Sequence, residues 1–190
     1  ITIGLIAGTF LVQDQLRFVQ QADLGFDRGG LVAVSNENNR LGEQAEAFKE
    51  KIKTNANFLD ASISTGAPPS WGFQDYYKVE GKGNEQFDLS SFMTDENFIS
   101  TLGVEIVQGR GFSKEFGSDA RSIILNEAAV QAFGLENPIG KIIHYPSTGD
   151  FEVIGVMKDF NFMSLYSPIA PFALFHHSSK TYQIPNSYVI

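Results

Sequence analysis

The sequence predicts a mixed α+β (α/β) chain in which a β-α-β unit is interrupted by an inserted second α+β part, all behind an N-terminal helix. Three patterns predict it. Apolar residues recur at helical spacing over residues 12–22, alternate between helix and strand periods after residue 31, and are broken at residues 66–73 (GAPPSWGF) by a glycine- and proline-rich stretch. The division that follows is a helical stalk over 1–25, a first subdomain over 26–67 and 151–190, and an inserted subdomain over 68–150.

Residues 1–12 (ITIGLIAGTFLV) are apolar, and Val12, Leu16, Val19 and Ala22 continue as one stripe while Gln13, Asp14, Arg17, Gln20 and Gln21 cover the other faces. Twelve helical residues reach about 18 Å, short of the roughly 30 Å of a bilayer core. One reading is the outer end of a membrane helix that extends upstream, with Gly4, Ala7 and Gly8 spaced for close helix contact. The other is an ordinary buried N-terminal helix. A signal-peptide core lacks its basic flank and cleavage site here. Gly25 is expected to end the helix.

Residues 31–34 (LVAV) suit a buried strand, and Asn38 or Asn39 can cap a helix carrying Leu41, Ala45, Phe48 and Ile52 inward with a charged outer face. Ala61, Ile63 and Thr65 alternate with serines and complete the β-α-β unit. Past the break, residues 76–79 and 87–93 read as strands around a turn at 81–84. Thr94 or Asp95 caps a helix bearing Phe98, Ile99 and Leu102, and Gly103 ends it. Residues 104–107 and 123–125 are further strands. Asn126 caps a helix with Ala129, Val130 and Phe133 on one face, Gly134 supplies its left-handed stop, and Pro138 prevents continuation. Residues 142–145 and 151–157 flank a PSTGD turn as a hairpin, and 172–175 and 187–190 are strands returning to the first subdomain's sheet.

Composition removes several function classes. At 190 residues with 43% hydrophobic and 13% aromatic content the chain has ample material for a core, and a formal charge of −8 opposes nucleic acid or anionic lipid as partners. No cysteine is present, so disulfides, thiolate nucleophiles and cysteine zinc sites are excluded. The GRGFSK stretch at 109–114 lacks the glycine spacing of a phosphate loop, and reads as a tight loop in which Arg110 meets a carboxylate such as Asp119. His176 and His177 are neighbours that a strand points to opposite faces, and His144 stands apart, so a metal site is not expected. No Gly-x-Ser-x-Gly elbow advertises a hydrolase. Asp95 and Glu96 suit a helix N-terminus, and Asp159 an anchor for the DFNF turn. Aromatic residues are the stronger feature. Phe160, Phe162, Tyr166, Phe172 and Phe175 crowd the C-terminal part, while Trp71, Phe73, Tyr76 and Tyr77 cluster beside the proline pair. Most belong to a core; the alternative is an exposed patch meeting a partner protein or an amphiphilic substrate, with Trp71 the first candidate contact.

Two segments, SIILNEAAVQAFGLENPIGK and FEVIGVMKDFNFMSLYSPIAPFALF, resemble the periplasmic core domain of MacB-like and FtsX-like ABC transporter permeases. QLRFVQQADLGFDRGGLVAV and DENFISTLGVEIVQGRGFS extend the likeness over nearly the whole chain in the same order. Many relatives have His where Asn161 and Tyr166 stand, which argues against required acid-base or metal chemistry there. The resemblance implies a porter-like α/β subdomain and a more variable second one. It also implies a non-catalytic, cofactor-free module of an inner-membrane permease that faces the periplasm. ATP would be hydrolysed by a separate cytoplasmic subunit or domain, a periplasmic adaptor is a further expected partner, and full-length relatives imply a dimer. The stripe Val12, Leu16, Val19 and Ala22 would then couple the stalk's movement to the domain. The alternative is an extracytoplasmic sensor whose aromatics line a pocket.

Overall fold

In the computed structural model the described residues are all but 1, 28, 37–40, 42–43, 71, 164, 180, 182–186 and 190, with backbone alone for 3, 20, 21 and 187–189. Asn38, Asn39 and Trp71 therefore lie outside the described residues. Helix α1 spans Thr2–Gln21. Strand β1 (Val34–Asn36), helix α2 (Gln44–Lys53) and strand β2 (Ile63–Ser64) form the β-α-β start. Then come β3 (Phe73–Val79), β4 (Gln86–Thr94), α3 (Phe98–Leu102), β5 (Ile106–Gly109), β6 (Ser122–Asn126) and α4 (Glu127–Ala132). Strands β7 (Ile142–Tyr145), β8 (Gly149–Met157), β9 (Phe172–His176) and β10 (Ser187–Val189) complete the chain.

The sheet closes on itself. Its order runs β4-β3-β7-β8-β6-β9, and β9 pairs back onto β4 in parallel, from Ser90 opposite Phe172 to Thr94 opposite His176. Alternation sorts the side chains of this ring into an inside and an outside. Tyr77, Val79, Leu89, Met93, Ile123, Leu125, Ile143, Tyr145, Phe151, Val153, Ala173 and Phe175 form the inner cluster, joined by Ala129 of α4 and by Phe133, which follows it. The intervening residues Phe92, Ile124, Phe172 and Leu174 face outward into a second cluster with Phe98, Leu102, Phe160 and Phe162. Strands β6 and β9 are thus covered on both faces, which is why they read as unbroken apolar runs.

The ring draws β3, β4, β6 and β7 from residues 68–150 and β9 from residues 151–190, and β8 runs across position 150/151. Closure thus joins the two stretches that local pattern separates. Strand β10 pairs with β1 and β2, as its expected return to the first subdomain requires, but β9 does not join them. A strand apolar on both sides is best enclosed between β4 and β6, where it meets both clusters.

Four local readings change in the folded chain. Residues 31–34 are not a buried strand: β1 starts only at Val34, and Val32 and Val34 are exposed. Helix α2 turns Ala45 and Lys49 inward and leaves Phe48 36% exposed, because Lys49 finds carboxylates beneath it. Asn97, not Thr94 or Asp95, precedes α3, although the Asp95 carboxylate accepts the Asn97 N–H at 3.1 Å. Asp159 accepts the Ala128 N–H at 2.9 Å, so it serves the first turn of α4 as well as its own turn. Asn126 caps α4 as expected, accepting from the Ala129 N–H at 2.9 Å, and it also accepts the Phe172 N–H at 2.8 Å and donates to the Ala170 carbonyl at 3.0 Å.

The expected Arg110–Asp119 pair is present as a fork, with Nη2 to Oδ1 at 2.7 Å and Nη1 to Oδ2 at 3.2 Å, and the Ser113 N–H adds a third donor at 2.8 Å. Burial pushes the Asp119 carboxyl up, but the Arg110 fork and the Ser113 amide outweigh it and hold it below the ordinary carboxylate value. The unfolded chain therefore binds more protons than the native one in mild acid. The stabilisation is fully present above the unfolded value of about 4 and is lost as pH falls through the lower native value. Arg110→Met lowers Tm most near neutral pH, and its gap from the wild type narrows on acidification below pH about 4 in a thermal-melt series. Separately, Tyr77→Ala costs about 3–5 kcal/mol in urea unfolding, because Tyr77 is fully buried and stacked on Tyr145 at 4.9 Å. Tyr76→Ala, on the opposite face and 58% exposed, stays within about 0.5 kcal/mol.

Candidate functional site

Helix α1 leaves most of its stripe exposed. Val12, Leu16 and Val19 are 56%, 57% and 41% exposed, and Ala22, just beyond the helix end, is half-buried. This sets aside the buried-helix reading, since Leu5, Phe10, Leu11 and Phe18 are equally open. Among the described residues no helix is long and apolar enough to cross a membrane.

What joins α1 to the body is the segment 23–27. The Asn161 N–H donates to the Leu24 carbonyl at 2.7 Å, and the Asp27 N–H donates to the Leu102 carbonyl at 2.9 Å. These backbone bonds clamp the segment between the DFNF turn and the end of α3. The Asp23 side chain accepts the Gly25 N–H at 2.9 Å and fixes the bend. Gly25 has φ +77°, and a Cβ there would lie 2.6 Å from the Asp159 carbonyl oxygen and 2.8 Å from the Phe160 Cα. It is therefore a contact residue more than a helix stop: α1 ends at Gln21, and Gly25 lets the chain press flat against the turn.

From there the joint reaches the barrel wall through packed rings. Phe26 meets Phe160 edge-on at 6.3 Å, and Phe160, fully buried, meets Phe172 of β9 at 5.4 Å. The neighbouring Asp159 ties the same turn to α4, with its own N–H donating to Glu127 Oε2 at 3.2 Å. Burial pushes the Asp159 carboxyl up, the Ala128 amide pulls it down, and the Glu127 charge adds to the rise, leaving it above the ordinary value. Beside the joint lies an apolar groove of about 450 Å³ between Val19, Leu24 and Phe26 on one side and Pro68, Pro69, Met163 and Tyr166 on the other.

Among the described residues, the predicted site residues are not brought together; Trp71 lies outside them. Of the stripe, Val19 alone lines the groove. Tyr77 is corrected from a contact to a core residue: strand alternation turns its ring into the barrel, where it stacks on Tyr145 and Phe175. Tyr76 points out, and Phe73 is half-buried at the start of β3. Sequence reasoning missed Leu24, Phe26 and Asn161 as a clamp. Their signals were Gly25 itself and the DFNF run, each read only for its local turn.

A helix that stands clear of an α+β barrel and is joined by backbone bonds to its outer layer defines the class structurally: a barrel domain with a protruding N-terminal helix. The chain belongs to the family of MacB-like periplasmic core domains, whose model matches residues 1–189. Its fold is similar to the periplasmic region of MacB from Actinobacillus actinomycetemcomitans, at TM-score 0.57 and 19% identity over 87% of this chain and 75% of that one. It is also similar to the extracellular domain of the noncanonic ABC-type transporter YknZ from Gram-positive bacteria, at TM-score 0.54 and 15% identity over 84% and 83%. No curated protein matches the sequence. The chain is thus a periplasmic core domain of the MacB and FtsX-like ABC transporter permeases, a family whose members work with ATP-binding subunits.

The clamp is testable through its glycine. Gly25→Ala lowers stability by clearly more than the roughly 1–2 kcal/mol that a left-handed φ alone costs. Gly30→Ala, at φ +86° with nothing within 4 Å, loses only that conformational part in parallel chemical unfolding.

Proposed function

We propose that this domain has no active site and instead carries ATP-driven movement from a permease's membrane region to the periplasm, with α1 as the lever. The ATP would be hydrolysed by a cytoplasmic subunit or domain, and the moving domain would export or release a substrate or signal to a periplasmic partner. The full-length protein would act as a dimer anchored in the inner membrane. The observation that carries this reading is the clamp at residues 23–27, where Leu24 and Asp27 are bonded to two different parts of the barrel's outer layer.

A helix of 20 residues is about 30 Å long, so a small tilt at its far end becomes a definite torque at the clamp. Flexible side-chain contacts would dissipate that torque. Backbone bonds and close-packed rings transmit it to Phe160, and thence to β9 and α4. The sensor alternative finds less support, because Tyr77 is inside the barrel and Tyr76 outside it, so the two cannot line one pocket. Arg110 is forked onto Asp119, Asp95 accepts from Ser62 and the Ile63 amide, and His176 Nδ1 bonds Ser178, so each of these groups has a structural contact.

Stiffness of the connection is the property to test. Inserting Gly-Gly after Gln20 in the full-length transporter leaves ATP hydrolysis running and this domain folded, while export or signalling falls. Transport that stays coupled to hydrolysis in that variant would rule out α1 as the transmitter.

A further inference from the structure

The two apolar clusters account for the barrel and its outer layer, but among the described residues neither contains any residue from 32 to 64. The lobe made by β1, α2, β2 and β10 is held to the barrel by polar contacts. Ser64 opposite Thr94 is the register pair that β2 makes with β4. Around it the Asp95 N–H donates to the Ile63 carbonyl at 3.0 Å, the Thr65 N–H donates to the Met93 carbonyl at 2.9 Å, and Ser100 Oγ donates to Asp60 at 2.9 Å. Below the lobe a hollow of about 530 Å³ separates Val34, Phe48, Ile52 and Phe58 from Ser100, Thr101 and Gly103.

At the centre of this seam is an ion pair closed to water. Lys49 and Asp95 have side chains 0% and 1% exposed, with Nζ 2.9 Å from Oδ2. Asp95 also accepts Ser62 Oγ at 2.6 Å and the Ile63 N–H at 2.8 Å, so one carboxylate holds α2, β2 and the start of α3 together. Glu46 at 2.8 Å also pairs with Lys49, but it is 48% exposed. Lys114 links Glu46 at 3.4 Å with Glu96 at 3.0 Å across the surface of the same seam.

We propose that the Lys49–Asp95 pair is a latch that holds the α2 lobe shut on the barrel, and that its breaking releases the lobe as a unit while the barrel stays folded. A buried pair keeps its partners together because either charge left alone in the seam is strongly disfavoured. Opening the lobe removes that penalty by admitting water to both charges at once. It exposes little of either apolar cluster, and the hollow means that few dispersion contacts resist the motion. The inference does not depend on the role of α1.

Native-state amide exchange on the 190-residue chain tests it. In the wild type, amides of α2 and of Ile63 exchange at least about tenfold faster than those of β6 and β9, which open only globally. Lys49→Met speeds the lobe amides by a further factor of about ten or more and leaves β6 and β9 within about twofold. Glu46→Gln, which removes only the half-exposed partner, changes lobe exchange by less than about threefold. Lobe and barrel amides exchanging in step in the wild type would overturn the latch. So would a Lys49→Met chain that fails to fold or whose lobe is unchanged, and so would an effect of Glu46→Gln as large as that of Lys49→Met.

Discussion

The parallel pairing of β9 with β4 is the constraint on which the rest of the molecule depends. Phe172 stands opposite Ser90, so the chain between β8 and β9 has to cross the outside of the ring to bring β9 into place. That crossing is the DFNF turn and the residues after it. It carries Phe160 and Phe162 onto the outward face of Phe172 and sets the Asn161 amide where Leu24 can reach it. Closure of the barrel and anchorage of the stalk are therefore one event, and Asn126 secures both by bonding the first residue of β9 and the first turn of α4 at once. The buried Asn126 leaves no polar atom of its amide without a bonded partner, which lets it sit between two apolar clusters at little cost.

How much of this was legible in the sequence depends on the range of each interaction. The Asn126 cap, the Gly103 and Gly134 stops, the β7–β8 hairpin and the Arg110–Asp119 fork were all readable, because each is decided within about a dozen residues. Closure was not. No local period says that residues 90–94 will meet 172–176, and β9 could satisfy its two apolar faces in any enclosed position. The pair Tyr76 and Tyr77 shows the same limit at a single step: adjacent tyrosines look alike as a cluster, while the register of β3 sends one into the barrel and the other into solvent. Lys49 was hidden for the opposite reason. A lysine on an amphipathic helix is ordinarily solvated, and only the distant Asp95 makes its burial tolerable. The clamp was half visible, since Gly25 and DFNF were both recognised as turns, but that the two turns press on each other is a fact of the closed ring.

The molecule thus divides its mechanics by the chemistry of its contacts. The barrel and its outer layer are joined by interlocking rings, with Phe172 touching Phe92, Phe160 and Phe162, and such packing resists small displacement because every ring would have to leave a filled site. The seam under α2 is polar, and a polar seam can part and re-form in water because its groups find solvent partners when they lose each other. Under the proposed function, force entering at residues 23–27 would meet the stiff part first, through Phe26 on Phe160 and through Asp27 on Leu102 at the end of α3.

Helix α3 then occupies a telling position. Its Phe98 and Leu102 are buried in the outer apolar cluster, whereas Ser100 and the preceding Asn97 bond Asp60 of the lobe. Helix α3 spans Phe98–Leu102 with Asn97 as its N-cap, so its hydrogen-bonded turn links the Leu102 end to the Asn97 end. Asn97 in turn bonds Asp95, the carboxylate that holds Lys49. The clamp and the ionic seam are therefore connected through bonds made by one element, α3 and its N-cap, rather than merely lying near each other. Physical continuity of this kind is what coupling between two sites requires, and the two-state element that would complete it is the proposed latch, in which Lys49 and Asp95 are closed to water while the lobe is shut and hydrated once it opens.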